Sequence, residues 1–266
     1  MAATVVITGA SSGIGRALAL EYAATGAVLG LLGRDPDRLM AVSETCRARG
    51  ATTETGAIDV RDTDQLATWL RAFDQRQTVD LLIVNAGVLT GTDAQGASEP
   101  LASALRTIDV NLKGAIATAD ALVGPMRQRR SGQIALISSL AGLLPQPDLP
   151  AYSASKAALV SYGTSLRQKL RGSGVAVSVV CPGYVESSMT RRQVGAKPFF
   201  WTAEKAARHI RRRLVRQPAM IAFPWPLVMG IRLMTLAPQP LYDRILGRFT
   251  AEVEPDAEGR RERTDG

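Results

Sequence analysis

The sequence predicts an α/β protein: a doubly wound parallel sheet of about seven strands, with helices on both faces, in a single domain. Three observations predict it. Apolar, β-rich runs alternate with longer helical patterns over most of the chain, the signature of βαβ units. Several of these runs are nearly continuous in Val, Ile and Leu, as strands covered on both faces must be. The 266 residues are 46% apolar and 21% charged, a length that an open α/β sheet reaches as one domain and a composition that can bury both of its faces.

Taken in order, strands are expected at residues 3–8, 27–33, 53–59, 80–84, 133–138 and 175–180. Helices of about a dozen residues or more connect them, as right-handed crossovers require. The most informative of these begins near Ala151 and ends before Gly172. There is no internal repeat, and no linker before about Val194. Beyond that point Thr202 is placed as an N-cap, with Glu204 and Lys205 behind it, opening a basic helix that stops before Pro218. Residues 219–223 add a last short strand. Pro224, Trp225 and Pro226 then lead into residues 227–236, which are apolar except for Arg232 and are closed by Pro238 and Pro240. That run is too short to span a bilayer.

The formal charge is +8, and most of the excess is local. Lys205, Arg208, Arg211, Arg212, Arg213 and Arg216 crowd the basic helix, with no aromatic residues interleaved as in a nucleic-acid motif. Nucleic acid is therefore not expected as a partner. Residues 251–266 mix acids and arginines with few apolar residues to pack, and a disordered tail is expected there. Cys46 and Cys181 share no close spacing, and no apolar targeting stretch follows Met1, which fits a reducing cytoplasm.

Thr8-Gly9-Ala10-Ser11-Ser12-Gly13-Ile14-Gly15 follows the first strand and opens a helix. In that context glycines let a backbone approach a pyrophosphate at a helix N-terminus, so the turn is read as a dinucleotide site. Its spacing differs from the common GxGxxG fingerprint, and a plain tight turn is the alternative. At the end of the second strand, where an acid would hold the ribose hydroxyls of NAD, stand Gly33 and Arg34. A guanidinium pairs with a 2′-phosphate that an acid would repel, so Arg34 is read as selecting NADP(H). The bland alternative is a solvated arginine paired with Asp35 or Asp37. Asp59 and Val60, after the third strand, are placed at the adenine edge. Asn85, Ala86 and Gly87, after the fourth, are small residues where the cofactor passes close.

Tyr152 and Lys156 lie four residues apart on one helix face. A free phenol titrates near pH ~10, and a neighbouring cation is expected to lower it, making Tyr152 a workable acid or base. Lys156 so placed also reaches ribose hydroxyls. Such a pair alone is usually surface decoration, and the neighbours decide the matter. Ser139 follows the fifth strand, whose C-terminal end faces the ligand crevice, and its hydroxyl can stabilise charge on a substrate oxygen. Asn111, on a helix between the fourth and fifth strands, is expected to hold a water for proton relay through its amide.

These elements together resemble the short-chain dehydrogenase/reductase family, in the subfamily whose pattern is Thr-Gly-x-x-x-Gly-x-Gly, an Asn-Ala-Gly element and Tyr-x-x-x-Lys, over about residues 3–189. The resemblance implies a Rossmann-type fold and NADP(H)-dependent hydride transfer between nicotinamide and a carbonyl or secondary alcohol. It also implies a catalytic tetrad of Asn111, Ser139, Tyr152 and Lys156, with Pro182, Gly183, Val185 and Ser187 contacting the nicotinamide. Serine at 187 replaces the family's usual threonine and keeps its hydroxyl. Val84 replaces the first asparagine of the common Asn-Asn-Ala-Gly and is expected to support the sheet.

Residues 1–250 are accordingly read as the catalytic domain, with 190–250 forming a substrate lid and a basic, then apolar, extension. Phe199, Phe200 and Trp201 either line a lipophilic pocket or pack as plain core. Cations and apolar residues across 205–249 are consistent with peripheral contact at the inner face of the membrane, against the plainer reading of a helix pair that covers the sheet or a subunit interface. A homodimer or homotetramer is expected. Cys181 is read as a buried, inert thiol, His209 as structural or exposed among arginines, and no metal is expected because no ligand spacing is present. The rival function is a catalytically silent NADP-binding regulator or membrane-surface protein.

Overall fold

A computed structural model describes residues 3–92, 99–238 and 240. Among them, β1 (Thr4–Thr8), β2 (Val28–Gly33), β3 (Thr52–Ala57), β4 (Leu81–Val84), β5 (Gly132–Ile137), β6 (Val175–Pro182) and β7 (Met220–Phe223) form one parallel sheet in the order 3-2-1-4-5-6-7. The helices are α1 (Gly13–Tyr22), α2 (Pro36–Ala48), α3 (Thr63–Arg76), α4 (Leu101–Ile108), α5 (Gly114–Gln128), α6 (Pro150–Lys169), α7 (Ser188–Arg192), α8 (Ala203–Leu214) and α9 (Trp225–Met234). The expected seven-stranded, doubly wound architecture is therefore present, with β3 closing at Ala57 and β6 running on to Pro182. The expected disorder of 251–266 falls outside the described residues.

Two apolar layers hold the sheet. Leu18 of α1, Val42 of α2 and Ile210 of α8 pack with Ile7 and Leu29 on one face. Phe73 of α3, Leu122 of α5 and Leu159 of α6 pack with Val6, Leu82 and Leu136 on the other. Alternate strand residues thus serve opposite layers, which is why these strands read as continuous apolar runs. The strand order reverses between β1 and β4, so the crevice between their C-terminal ends is the place where such sheets take ligands.

The C-terminal part splits in a way the sequence did not reveal. Thr202 caps α8 as expected, its hydroxyl accepting from the Lys205 N–H at 3.2 Å. Because α8 leads from the end of β6 back to the start of β7, its last turn reaches the opposite edge of the sheet. There Gln133, at the start of β5, donates to Leu214 O at 3.1 Å. Arg211 is drawn to α1, donating to Glu21 O at 2.8 Å and lying over the Tyr22 ring at 5.4 Å. The last turn of α8 therefore lies towards the end of the sheet opposite the start of α9, while His209 midway along α8 packs on Phe223 at the end of β7.

α9 starts at the C-terminal edge, after β7. Its Leu227, Val228 and Ile231 pack on Leu140, Val179 and Cys181. Trp225, Met229 and Leu233 of α9, with Leu236 just beyond it, are exposed at helical spacing. No helix among the described residues is long and apolar enough to cross a membrane.

Candidate active site

The residues singled out in the sequence converge at the C-terminal edge of β1, β4, β5 and β6. Gly9 adopts φ +66°, and a Cβ there would lie 2.9 Å from Ala86 Cα, so turn and β4 end are pressed together. Thr8 supplies the joint: its hydroxyl accepts from Asn85 N–H at 3.0 Å and Ala86 N–H at 3.1 Å. The Asn85 amide answers by donating to Thr8 O at 3.0 Å and Gly9 O at 3.2 Å. Asn85 is thus a clamp on the glycine turn, a role that its small size alone did not reveal. Across the turn, a Cβ at Gly13 would come within 3.0 Å of Ser187 Cβ. Ser187 caps α7, accepting from Thr190 N–H at 3.0 Å. Ser11, Ser12, Ile14 and Gly15 complete the turn and the opening of α1, and Gly183 is tied to β7 by its N–H to Phe223 O at 2.7 Å.

At the ends of β2 and β3, Arg34 reaches Asp59 at 4.0 Å and remains half exposed. Asp35 instead caps α2 through the Arg38 N–H and pairs with the Arg38 guanidinium at 3.0 Å. Asp59 is clamped by Arg61, whose guanidinium donates at 2.7 Å. Burial works to raise the Asp59 carboxyl, but Arg61, with Arg34 beside it, outweighs this and holds it below the usual range. Val60 is buried against the position of a Cβ on Gly114. A dinucleotide fits these features: the turn leaves no room for side chains at Gly9, Gly13 and Gly15, and two guanidinium groups stand at the far strand ends.

Tyr152 lies at the start of α6, with its hydroxyl facing that of Ser139. Ser139 also accepts from Ala141 N–H at 3.1 Å, which fixes its hydroxyl. Lys156 is 4% exposed; its ammonium donates to Ile137 O at 3.0 Å and stands 5.7 Å from the Tyr152 ring centre. The expected lowering of the phenol by Lys156 is not what the geometry gives. Burial pushes the Tyr152 phenol up, against the hydrogen bond from Ser139. Burial likewise pushes the Lys156 ammonium down, to about 8.

Asn111 sits in a π-helical turn, Asp109–Lys113, and is fully buried. Its Oδ1 accepts from Val88 N–H at 2.7 Å, and its Nδ2 donates to Val88 O at 2.9 Å and Ser155 Oγ at 3.1 Å. Both amide hydrogens are thereby used, and only the second lone pair of Oδ1 is left to the amide for a water. Asn111 also pins the chain after β4 to α6. Ser155, which no sequence motif marks, completes the link by donating to Tyr152 O at 2.7 Å. Gly87 borders this junction: a Cβ there would lie 3.2 Å from Asn111 Oδ1 and 3.5 Å from Lys156 Nζ.

The remaining candidates fall into place. Cys181 is fully buried, and burial pushes its thiol up to about 12, in keeping with an inert role. His209 is half-buried against Trp201 and Phe223, and burial, with Arg213 and Arg212, pushes its imidazole down. Trp201 stacks on Phe223 at 4.8 Å as part of the fold, whereas Phe199 and Phe200 are exposed. Tyr152 and Met189 pack against the buried Leu89 and Leu149. Among the described residues no group of three or more His, Cys, Asp or Glu could hold a metal.

A glycine-lined turn at the reversal of strand order, facing a Ser-Tyr-Lys arrangement whose lysine is buried, defines a dinucleotide-binding oxidoreductase class. The family model described as short chain dehydrogenase matches residues 3–197. The chain is 37% identical to a protein of Myxococcus xanthus named only as an uncharacterized oxidoreductase, over 92% of this chain and 97% of that one. A short-chain dehydrogenase from Sphingobium yanoikuyae in complex with NADPH superposes with TM-score 0.75 at 26% identity, covering 89% and 97% of the two chains. One from Burkholderia phymatum in complex with NAD gives TM-score 0.81 at 25% identity, covering 96% and 98%. The chain belongs to the short-chain dehydrogenase family. It is an oxidoreductase dependent on a nicotinamide dinucleotide.

Proposed function

We propose that this protein is an NADPH-dependent carbonyl reductase acting on a lipophilic ketone or aldehyde, with Tyr152 as the acid. One observation carries the reading: the Tyr152 hydroxyl stands beside Ser139 and the buried Lys156 ammonium, at the ligand edge of the sheet. Bound nicotinamide supplies the hydride. Ser139 holds the substrate oxygen, and Tyr152 delivers its proton to it. The raised phenol keeps that proton available at neutral pH, and Lys156, pushed down to about 8, still carries its charge there for the ribose hydroxyls. Asn111 and Ser155 hold α6 in register with the chain after β4. The apolar side chains of Leu89, Leu149 and Met189 support a lipophilic substrate.

Arg34 supports NADP(H) over NAD(H), since Asp59 steadies its guanidinium at the end of β2. Replacing Arg34 with Asp is expected to lower the NADPH-over-NADH preference by about tenfold or more, because a 2′-phosphate would then meet two carboxylates. Fluorescence titration with both cofactors measures this, and an unchanged preference would contradict the assignment.

The exposed row Trp225, Met229, Leu233 and Leu236, flanked by Arg232, supports peripheral contact with a membrane holding such substrates. In this reading the contact uses α9, and the arginines of α8 take no part. Co-sedimentation with vesicles of mixed neutral and anionic phospholipid is expected to retain the protein and to lose it on combining Trp225→Ser with Leu233→Ser. Equal retention of that variant would exclude α9 as the contact.

A further inference from the structure

α6 carries Tyr152 and Lys156, yet it has no N-cap of its own. Leu149 occupies the cap position and offers no side-chain acceptor. The first-turn N–H groups still need partners. Ser153 N–H finds Leu149 O at 2.8 Å. Ala151 N–H, one residue before Tyr152, donates to Glu99 Oε2 at 3.2 Å, across 52 positions of sequence. The other carboxylate oxygen accepts from Thr90 Oγ1. Thr90 spends its one hydroxyl proton there, so Thr107 Oγ1 is the donor in the 2.5 Å bond between the two threonines. Thr90 and Thr107 are both buried.

We propose that Glu99 is a positioning residue for the reaction. Its carboxylate ties the chain after β4 and α4 to the first turn of α6, and so sets where the Tyr152 hydroxyl stands against Ser139. A carboxylate at the positive end of a helix is well placed to do this. Its charge also disfavours the phenolate, which keeps Tyr152 protonated. The inference rests on Tyr152 being the acid. The other charged groups near this turn are Asp148 ahead of α6, Arg106 on α4, Lys156, and Arg192 of α7, whose guanidinium donates to Leu89 O at 3.3 Å. All of them stay in place when Glu99 alone is changed.

The test compares Glu99→Ala and Glu99→Gln with Tyr152→Phe in the full-length protein, using NADPH and a reactive aldehyde. Glu99→Ala is expected to lower kcat about 10- to 100-fold with KM for NADPH within about twofold, as a displaced reacting group does. Glu99→Gln keeps an oxygen for the Ala151 N–H and should recover most of kcat. It should also move the alkaline limb of the kcat/KM profile to lower pH, because the charge opposing the phenolate is gone. Wild-type kcat in Glu99→Ala would overturn the proposal. So would a Glu99→Gln enzyme whose pH limb has not moved, which also decides the matter if Glu99→Ala fails to fold. Turnover by Tyr152→Phe would overturn the tetrad assignment instead, whatever the Glu99 variants do.

Discussion

Tyr152→Phe should lower kcat by roughly a thousandfold, within the range that positioned proton donors supply, and leave the Kd for NADPH within about twofold of wild type. The loss is confined to chemistry because the ring stays where it is. Leu89 and Leu149 pack against the aromatic body, and the hydroxyl has only Ser139 beside it. Ser139 is left with the Ala141 N–H, so no buried group loses its only partner and the fold should melt as the wild type does. Stopped-flow absorbance of NADPH with a panel of aldehydes and ketones checks the rate, and fluorescence titration checks binding. Turnover within tenfold of wild type would mean that another group delivers the proton. Loss of NADPH binding in step with kcat would mean that Tyr152 serves the cofactor and not the substrate.

How far the sequence carried this site can be judged from particular residues. The sheet was legible because strands buried on both faces leave uninterrupted Val, Ile and Leu runs. Gly9, Gly13, Ser139, Tyr152 and Lys156 were legible because each lies in a local motif tied to a strand end. What escaped was set by contacts distant in sequence. Asn85 clamps the glycine turn over 77 positions, and Asn111 spends its amide on Val88 and Ser155. Glu99 caps a helix 52 positions away. No spacing rule links such pairs. The pKa of Tyr152 was misjudged for a related reason: helical spacing shows that Lys156 is near, but only the packing shows that burial is the larger effect. The last arginines of α8 and the apolar face of α9 are near neighbours in sequence, and the topology separates them, since β7 (Met220–Phe223) lies between the two helices.

Gly15→Ala should be the most damaging single methyl in the glycine turn. Alanine ordinarily favours a helix over glycine by ~1 kcal/mol, and Gly15 lies inside α1, so propensity alone predicts a gain. Sterics reverse the sign. A Cβ at Gly15 would stand 2.1 Å from Gly9 O and 2.5 Å from Asn85 Nδ2. Neither neighbour can retreat cheaply: Gly9 O is backbone held at positive φ, and the Asn85 amide is committed to Thr8 O and Gly9 O. To relieve the clash α1 must lift from the turn, which opens the clamp between β1 and β4 and spoils the surface offered to a pyrophosphate. A cost of about 3 kcal/mol is expected, in the upper range for overpacking a tight core, with Tm lower by roughly 10 °C and NADPH binding lost. Gly124→Ala is the control. Gly124 lies within α5 with nothing within 4 Å of its added Cβ, so there the propensity gain should stand and Tm should hold or rise. If both variants melt alike and Gly15→Ala still binds NADPH, the turn does not need its glycine at 15, and the reading of this turn as the dinucleotide cradle loses its steric basis.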